Sequence, residues 1–126
     1  MNNENKIKYN SSVSNLLENI KKSYAGWGSD INDLDEPSKS IRLNMIDKFN
    51  NSIEVRSGRK FDKVVTNGSV WGFIAKTDGV LKGIPYFVGD VFKAAGWRAP
   101  AKHVRGSIFS NETNWFSWTG PNYIVR

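Results

Sequence analysis

The pair Asn67-Gly68 most narrows what this chain can become. Asparagine and glycine accept the left-handed backbone that a two-residue hairpin turn demands, and few other pairs do so cheaply. Two apolar runs flank the turn, Phe61 to Thr66 and Ser69 to Lys76, so the turn folds them into an antiparallel pair. Strand alternation puts Trp71, Phe73 and Ala75 on one face of the second run, with Val70, Gly72 and Ile74 on the other. Both sets are apolar. The second run is therefore expected as a central strand rather than an edge.

The N-terminal third reads as helical. Between Asn10 and Tyr24, residues Val13, Leu16, Leu17, Ile20 and Tyr24 recur at helical spacing. Ser11 or Ser12 can cap the start, and Gly26 and Gly28 can end the helix. Glu36-Pro37 opens a second helix, which carries Ile41, Met45, Ile46 and Phe49 on one face to about Asn51. Each helix has one apolar side, which should pack on the other helix, on a sheet or on another copy of the chain. Residues 1–9 are polar and are expected to fray.

After Asn51 the period changes. Ile53-Glu54-Val55 alternates, Ser57-Gly58 and Thr77-Asp78-Gly79 turn, and Tyr86 to Val88 and Asp90 to Lys93 read as short strands. Ala94 to Arg105 reads as irregular, broken by Gly96 and Pro100, and Ser107 to Ser110, Asn114 to Trp118 and Tyr123 to Val125 read as further strands. The expectation is an α+β fold: two N-terminal amphipathic helices followed by a meandering antiparallel β-sheet. The 126 residues suit one domain, with 10–52 as the helical part and 53–126 as a basic, aromatic-rich sheet part.

Several function classes find no support. The chain has no cysteine, which removes disulfides, thiolate catalysis and cysteine-bound zinc. It has one histidine, His103, with no acidic neighbour in sequence. There is no Gly-x-Ser-x-Gly elbow and no P-loop, since Gly79-Val80-Leu81-Lys82-Gly83 is too short and lacks the Gly-Lys-Ser/Thr ending. The acidic stretch 29–36 does not match a calcium loop. The reading is a non-enzyme with no cofactor and no metal. Nothing resembling a signal peptide follows Met1, and no apolar run approaches membrane-spanning length, so a cytoplasmic protein without membrane contact is expected.

Charge then points to a ligand. The net charge is +6, and all of that excess lies in residues 59–126, together with twelve of the sixteen aromatic residues. Cations and flat rings in one half suit phosphates and bases. The segment Gly96 to Ser107 concentrates both, with Trp97 beside Arg98, then Lys102 and Arg105. Arginine matches phosphate oxygens with a planar fork and also stacks on rings. The closing run around Trp118 is a second candidate for ring stacking.

Three strings resemble a group of small bacteriophage proteins: SVWGFIAK from Ser69, GDVFKAAGWRAPAKHVRGSIF from Gly89 and WTGPNY from Trp118. Within that group the chain is most similar to the Thoeris anti-defence sponges. The resemblance implies a phage protein that acts in the host bacterial cytoplasm. It implies binding and sequestration, without cleavage, of a cyclic ADP-ribose isomer made by host TIR-domain enzymes, with cyclic oligonucleotides as further ligands. It also implies a homo-oligomer built from dimers, with pockets at subunit contacts. Carried onto this chain, it makes Arg98 and Arg105 phosphate ligands and Trp71 or Phe73 a stacking ring. Ser107 stands where relatives often have Asn, and Asn122 lies in the last matching string. The full expected ligand-binding set is Trp71, Phe73, Trp97, Arg98, Lys102, Arg105, Ser107, Trp118 and Asn122. The alternative reading is a phage nucleic-acid-binding protein, which the same basic, aromatic half would suit.

Overall fold

The computed structural model describes residues 3–26, 31–110 and 115–121. The expected α+β class is what it shows: two helices and a mostly antiparallel sheet. Helix α1 runs Asn3–Ala25, a short 3-10 turn spans Ile31–Asp33, and helix α2 runs Glu36–Ser52. Asp35 caps α2 by accepting a bond from the Ser38 amide at 2.9 Å, and Pro37 sits in the first turn. That bond holds the Asp35 carboxyl below the usual carboxylate range.

Helix α1 begins near Asn3, well before the expected start, so the stretch expected to fray is helical from that residue on. The cause is Tyr9. It is buried, and its hydroxyl donates to Asp62 Oδ2 at 2.8 Å, tying the first turns to the sheet. Tyr9 then heads a buried stripe with Val13, Leu16, Ile20 and Tyr24. Helix α2 engages less than expected. Phe49 is buried and Ile46 packs against the core, but Ile41 and Met45 are exposed. Its grip comes from its C-terminal end, where Phe49 stacks on Tyr24 at 4.0 Å and Trp118 meets both rings edge-on.

The strands follow as β1 (Glu54–Ser57), β2 (Phe61–Thr66), β3 (Ser69–Ala75), β4 (Gly79–Leu81), β5 (Ile84–Tyr86), β6 (Asp90–Ala94), β7 (Pro100–Ser107), β8 (Phe116–Ser117) and β9 (Gly120–Pro121). Five form one sheet in the order β1-β2-β3-β6-β7, while β4-β5 and β8-β9 are separate hairpins. Asn67 and Gly68 both have positive φ, as a two-residue hairpin turn requires. Lys82 and Gly83 do the same between β4 and β5, a hairpin the sequence reading passed over.

Three strand expectations need correction. The strand expected at Tyr86–Val88 lies earlier, as β5, and keeps only Tyr86. The second half of the stretch read as irregular, from Pro100 on, is β7. Proline is tolerated as the first residue of a strand because no ladder bond is asked of it there, and two register shifts accommodate β7 against β6. Conversely, Ile108 and Phe109 form a turn, with Ser110 donating its amide to the Ser107 carbonyl at 3.1 Å. The expected strand at Tyr123–Val125 lies outside the described residues.

The central pair is covered on both faces, but not with the expected partition. Pairing of β2 with β3 shifts between Val64 and Val65, which face Gly72 and Val70, so Trp71 is an extra residue. A bulge of this kind breaks the two-residue period. Trp71 therefore joins Ile74, Val64 and Val91 beneath the helices, while Phe73, Ala75, Phe92 and Tyr86 form a second cluster on the opposite face.

The Tyr9–Asp62 bond gives a test. Burial, with the Asp62 carboxylate beside it, raises the Tyr9 hydroxyl far above its ordinary pKa of 10.0. The folded state thus keeps this proton where the unfolded chain would release it, and stability falls as pH rises above that ordinary value. Tyr9→Phe should cost about 1–3 kcal/mol at neutral pH, because Asp62 loses a donor inside the protein. Denaturant melts should show the gap between wild type and variant narrowing above the ordinary tyrosine pKa.

Candidate functional site

Between β1 and β2 the chain reverses at Gly58. The Gly58 amide donates to the Phe61 carbonyl at 3.0 Å, and a Cβ at this position would meet that same oxygen. The reversal presents Arg59 and Lys60 at one end of the sheet. On the face away from the helices, register aligns Arg56 with Lys63 and Lys63 with Phe73, and Phe73 with Phe92 beyond. The β6–β7 loop supplies the remaining side chains. Ala95 and Gly96 donate their amides to the Ala99 carbonyl at 3.0 and 3.3 Å, closing a tight tip that carries Trp97 and Arg98.

These elements enclose a cleft of about 310 Å³, lined by Arg56, Arg59, Lys60, Lys63 and Arg98 with Phe61 and Phe73. The Trp97 ring stands beside it, 4.5 Å from Lys63 Nζ and 5.4 Å from the Arg56 guanidinium carbon. None of the described lining residues is acidic. Arg56 shares its charge with exposed Glu54 at 2.8 Å, and Lys63 also lies 5.9 Å from the Phe73 ring. Five like charges converge here against the one carboxylate of Glu54, an arrangement that an anion relieves. Among the described residues, no group of three or more His, Cys, Asp or Glu gathers as a metal site would require. No helix among them is long and apolar enough to cross a membrane.

The sequence model of a family of unknown function, DUF7717, matches residues 2–124. The chain belongs to that family. No curated protein and no solved structure matches it.

In this member of the DUF7717 family the expected ligand-binding residues separate into groups. Arg98 and Phe73 line the cleft, and Trp97, 44% exposed, flanks it. Phe73 itself is buried, so it contributes to the floor rather than offering a full ring face. Trp71 is a core residue at 2% exposure, with its indole N–H donating to the Ser117 carbonyl at 2.8 Å, and it presents no stacking face. Trp118 is engaged in the same core, against Tyr24 and Phe49, and its amide donates to Ser23 Oγ at 3.1 Å. Lys102 is exposed on β7 and Arg105 is buried there, and neither lines the cleft. Ser107 lines a different cavity, beside α1. Asn122 lies outside the described residues.

Sequence reasoning missed Arg56, Arg59, Lys60 and Lys63. The signal was present, since four cations fall within eight residues around the Ser57-Gly58 turn, with Phe61 among them. Behind the turn, Lys76 Nζ donates to Ser57 Oγ at 2.7 Å and to the Gly58 carbonyl at 3.2 Å, and it lies 3.5 Å from Asp62 Oδ1. A larger cavity of about 500 Å³ on this side has Lys6, Arg59 and Lys76, but there Asp62 offsets part of the charge.

The turn depends on glycine at 58. Gly58→Ala should cost about 1–3 kcal/mol, as overpacking against backbone does, and should weaken anion binding as Arg59 and Lys60 are displaced. Thermal unfolding and a pyrophosphate titration would read the two effects. An unaltered melt would show that the turn accommodates a side chain.

Proposed function

We propose that this protein binds a compact, phosphate-bearing nucleotide in the Trp97 cleft and sequesters it without cleaving it. The observation that carries this reading is the convergence of five cations, with no described lining carboxylate, on a cavity flanked by an exposed indole. The cations suit a pyrophosphate, and the indole suits a base. A cavity of this volume sits at the small end of ligand sites, which favours a single compact molecule over a polymer.

The resemblance to Thoeris anti-defence sponges supplies the ligand class and the setting. The ligand is a cyclic ADP-ribose isomer made by host immune enzymes, with cyclic oligonucleotides as further candidates, and the setting is a phage protein in the bacterial cytoplasm. Assembly from dimers accords with the exposed Ile41, Leu43 and Met45 of α2, which leave apolar surface for a second copy to cover. The absence of cleavage rests on the sequence, which assembles no nucleophile with its base.

A thermal-melt panel tests the proposal, using cyclic ADP-ribose isomers, cyclic di- and trinucleotides, NAD and short single-stranded DNA, with bound ligand recovered by boiling. The expected result is a large upward shift with one cyclic nucleotide, which is then returned intact. Arg59→Ala or Lys63→Ala should each weaken binding by about 1.5–3 kcal/mol through loss of a charged hydrogen bond. Trp97→Ala should cost about 1–3 kcal/mol through loss of stacking, with little change in the melt of the free protein. A shift seen only with DNA, and falling steeply with salt, would replace this reading with the nucleic-acid-binding alternative.

A further inference from the structure

A cavity of about 360 Å³ lies between α1 and the turn that follows β7, and its chemistry differs from that of the cationic cleft. One wall is helical. Lys8, Ser12, Asn15 and Asn19 line it at spacings of four, three and four, a polar stripe directly beside the buried stripe headed by Tyr9. The opposite wall is aromatic, made by Phe109, Trp115 and Phe116, with the last two rings 4.5 Å apart. Glycine positions two of these rings. A Cβ on Gly89 would collide with the Phe109 ring, and one on Gly106 with the Trp115 indole, so both rings rest where only bare backbone lets them.

Charge decides the ligand class. Lys8 is the one cation among the described lining residues, and its ammonium already lies 5.0 Å from the Phe109 ring. None of the described lining residues is a carboxylate. A pyrophosphate would find too little positive charge here, and a cationic ligand would find no anion. The groups on offer are amides and hydroxyls, which both donate and accept, facing apolar ring surface. That pairing suits a molecule with hydroxyls on its edges and C–H groups on its faces.

We propose that this cavity is a second binding site, separate from the cationic cleft, for an uncharged, hydroxyl-bearing sugar ring. The aromatic wall takes the C–H face of the ring, and Ser12, Asn15 and Asn19 take its hydroxyls. A free saccharide and the ribose of an uncharged nucleoside share this chemistry. The site does not depend on what occupies the cleft.

The test titrates the full chain with D-glucose, D-ribose and adenosine, followed by proton–nitrogen correlation spectra. The signals read are the Trp115 indole N–H, assigned through Trp115→Phe, and the side-chain amides of Asn15 and Asn19. The expected result is a saturable shift at these signals that salt leaves unchanged. Affinity should fall roughly tenfold or more in the Asn15→Ala, Asn19→Ala double variant and stay the same in Arg59→Ala. Saturation by glucose or ribose points to a free saccharide as the source, and saturation by adenosine alone points to a nucleoside. Alanine favours helix at both positions, and if the double variant loses its dispersed spectrum, Asn15→Ala alone carries the test at an exposed position. The proposal is overturned by the absence of a saturable shift with any of the three probes, by equal shifts in wild type and the asparagine variant, or by a response that salt abolishes.

Discussion

The extra residue that Trp71 inserts into β3 governs how the rest of the molecule is arranged. A strand buried on both faces has to divide its large side chains between two clusters, and strict alternation would have put Trp71 and Phe73 on the same side. The bulge opposite Val64 and Val65 separates them. Trp71 turns toward the helices, where its indole N–H reaches the Ser117 carbonyl and ties the β8-β9 hairpin down. Phe73 turns the other way, into the aromatic cluster with Phe61 and Phe92 that underlies the cationic cleft. One strand thus anchors the helical layer and also floors the site. Gly72 completes the device, since a Cβ there would press on the Phe92 carbonyl and the Pro121 ring.

The helical layer also reaches the site from behind. Asp62 and Phe61 are neighbours on β2 and point to opposite faces. Asp62 receives the Tyr9 hydroxyl and lies 3.5 Å from Lys76, whose ammonium in turn holds Ser57 and Gly58. The tight turn that projects Arg59 and Lys60 is therefore braced through a buried carboxylate by the first turns of α1. A buried carboxylate with one donor and one cation beside it is costly to disturb. This explains why a polar N-terminal stretch, unremarkable in sequence, is ordered as helix.

Much of the fold was legible because its signals are local. Asn67-Gly68 fixed the central hairpin, and the stripe from Val13 to Tyr24 fixed most of α1. What escaped depends on tertiary contacts. Tyr9 continues the helical spacing of that stripe by one turn, but nothing local marks its hydroxyl as an anchor, because its partner is fifty-three residues away. The bulge at Trp71 leaves the apolar pattern intact while reversing a face. Strand β7 hid behind Gly96 and Pro100, because Pro100 takes its place at a strand start only through pairing with β6. The site was half legible. Trp97 and Arg98 stand out as a cation beside a ring, whereas Trp71 and Trp118 look the same in sequence and are core. The cations of β1 and β2 become part of the site only because register brings Arg56, Lys63 and Phe73 into one row.

The position of Trp97 bears on how such a cleft would take a phosphate-bearing ring. Its indole rests against Lys63 and Arg56, two of the cations that a pyrophosphate would engage. A cation–π contact at an exposed ring contributes about 0.5–1 kcal/mol, whereas a hydrogen bond to a charged group contributes about 1.5–3 kcal/mol. Phosphate oxygens would therefore outcompete the ring for the same cations. The ring in turn would gain a base to stack on, worth about 1–3 kcal/mol. The loop carrying Trp97 is closed by two backbone bonds to the Ala99 carbonyl, and a side chain at Gly96 would meet open space. Exchange of partners can then proceed at the loop tip while the floor of Phe61 and Phe73 stays fixed, so the ordering cost of binding falls on a few residues rather than on the fold.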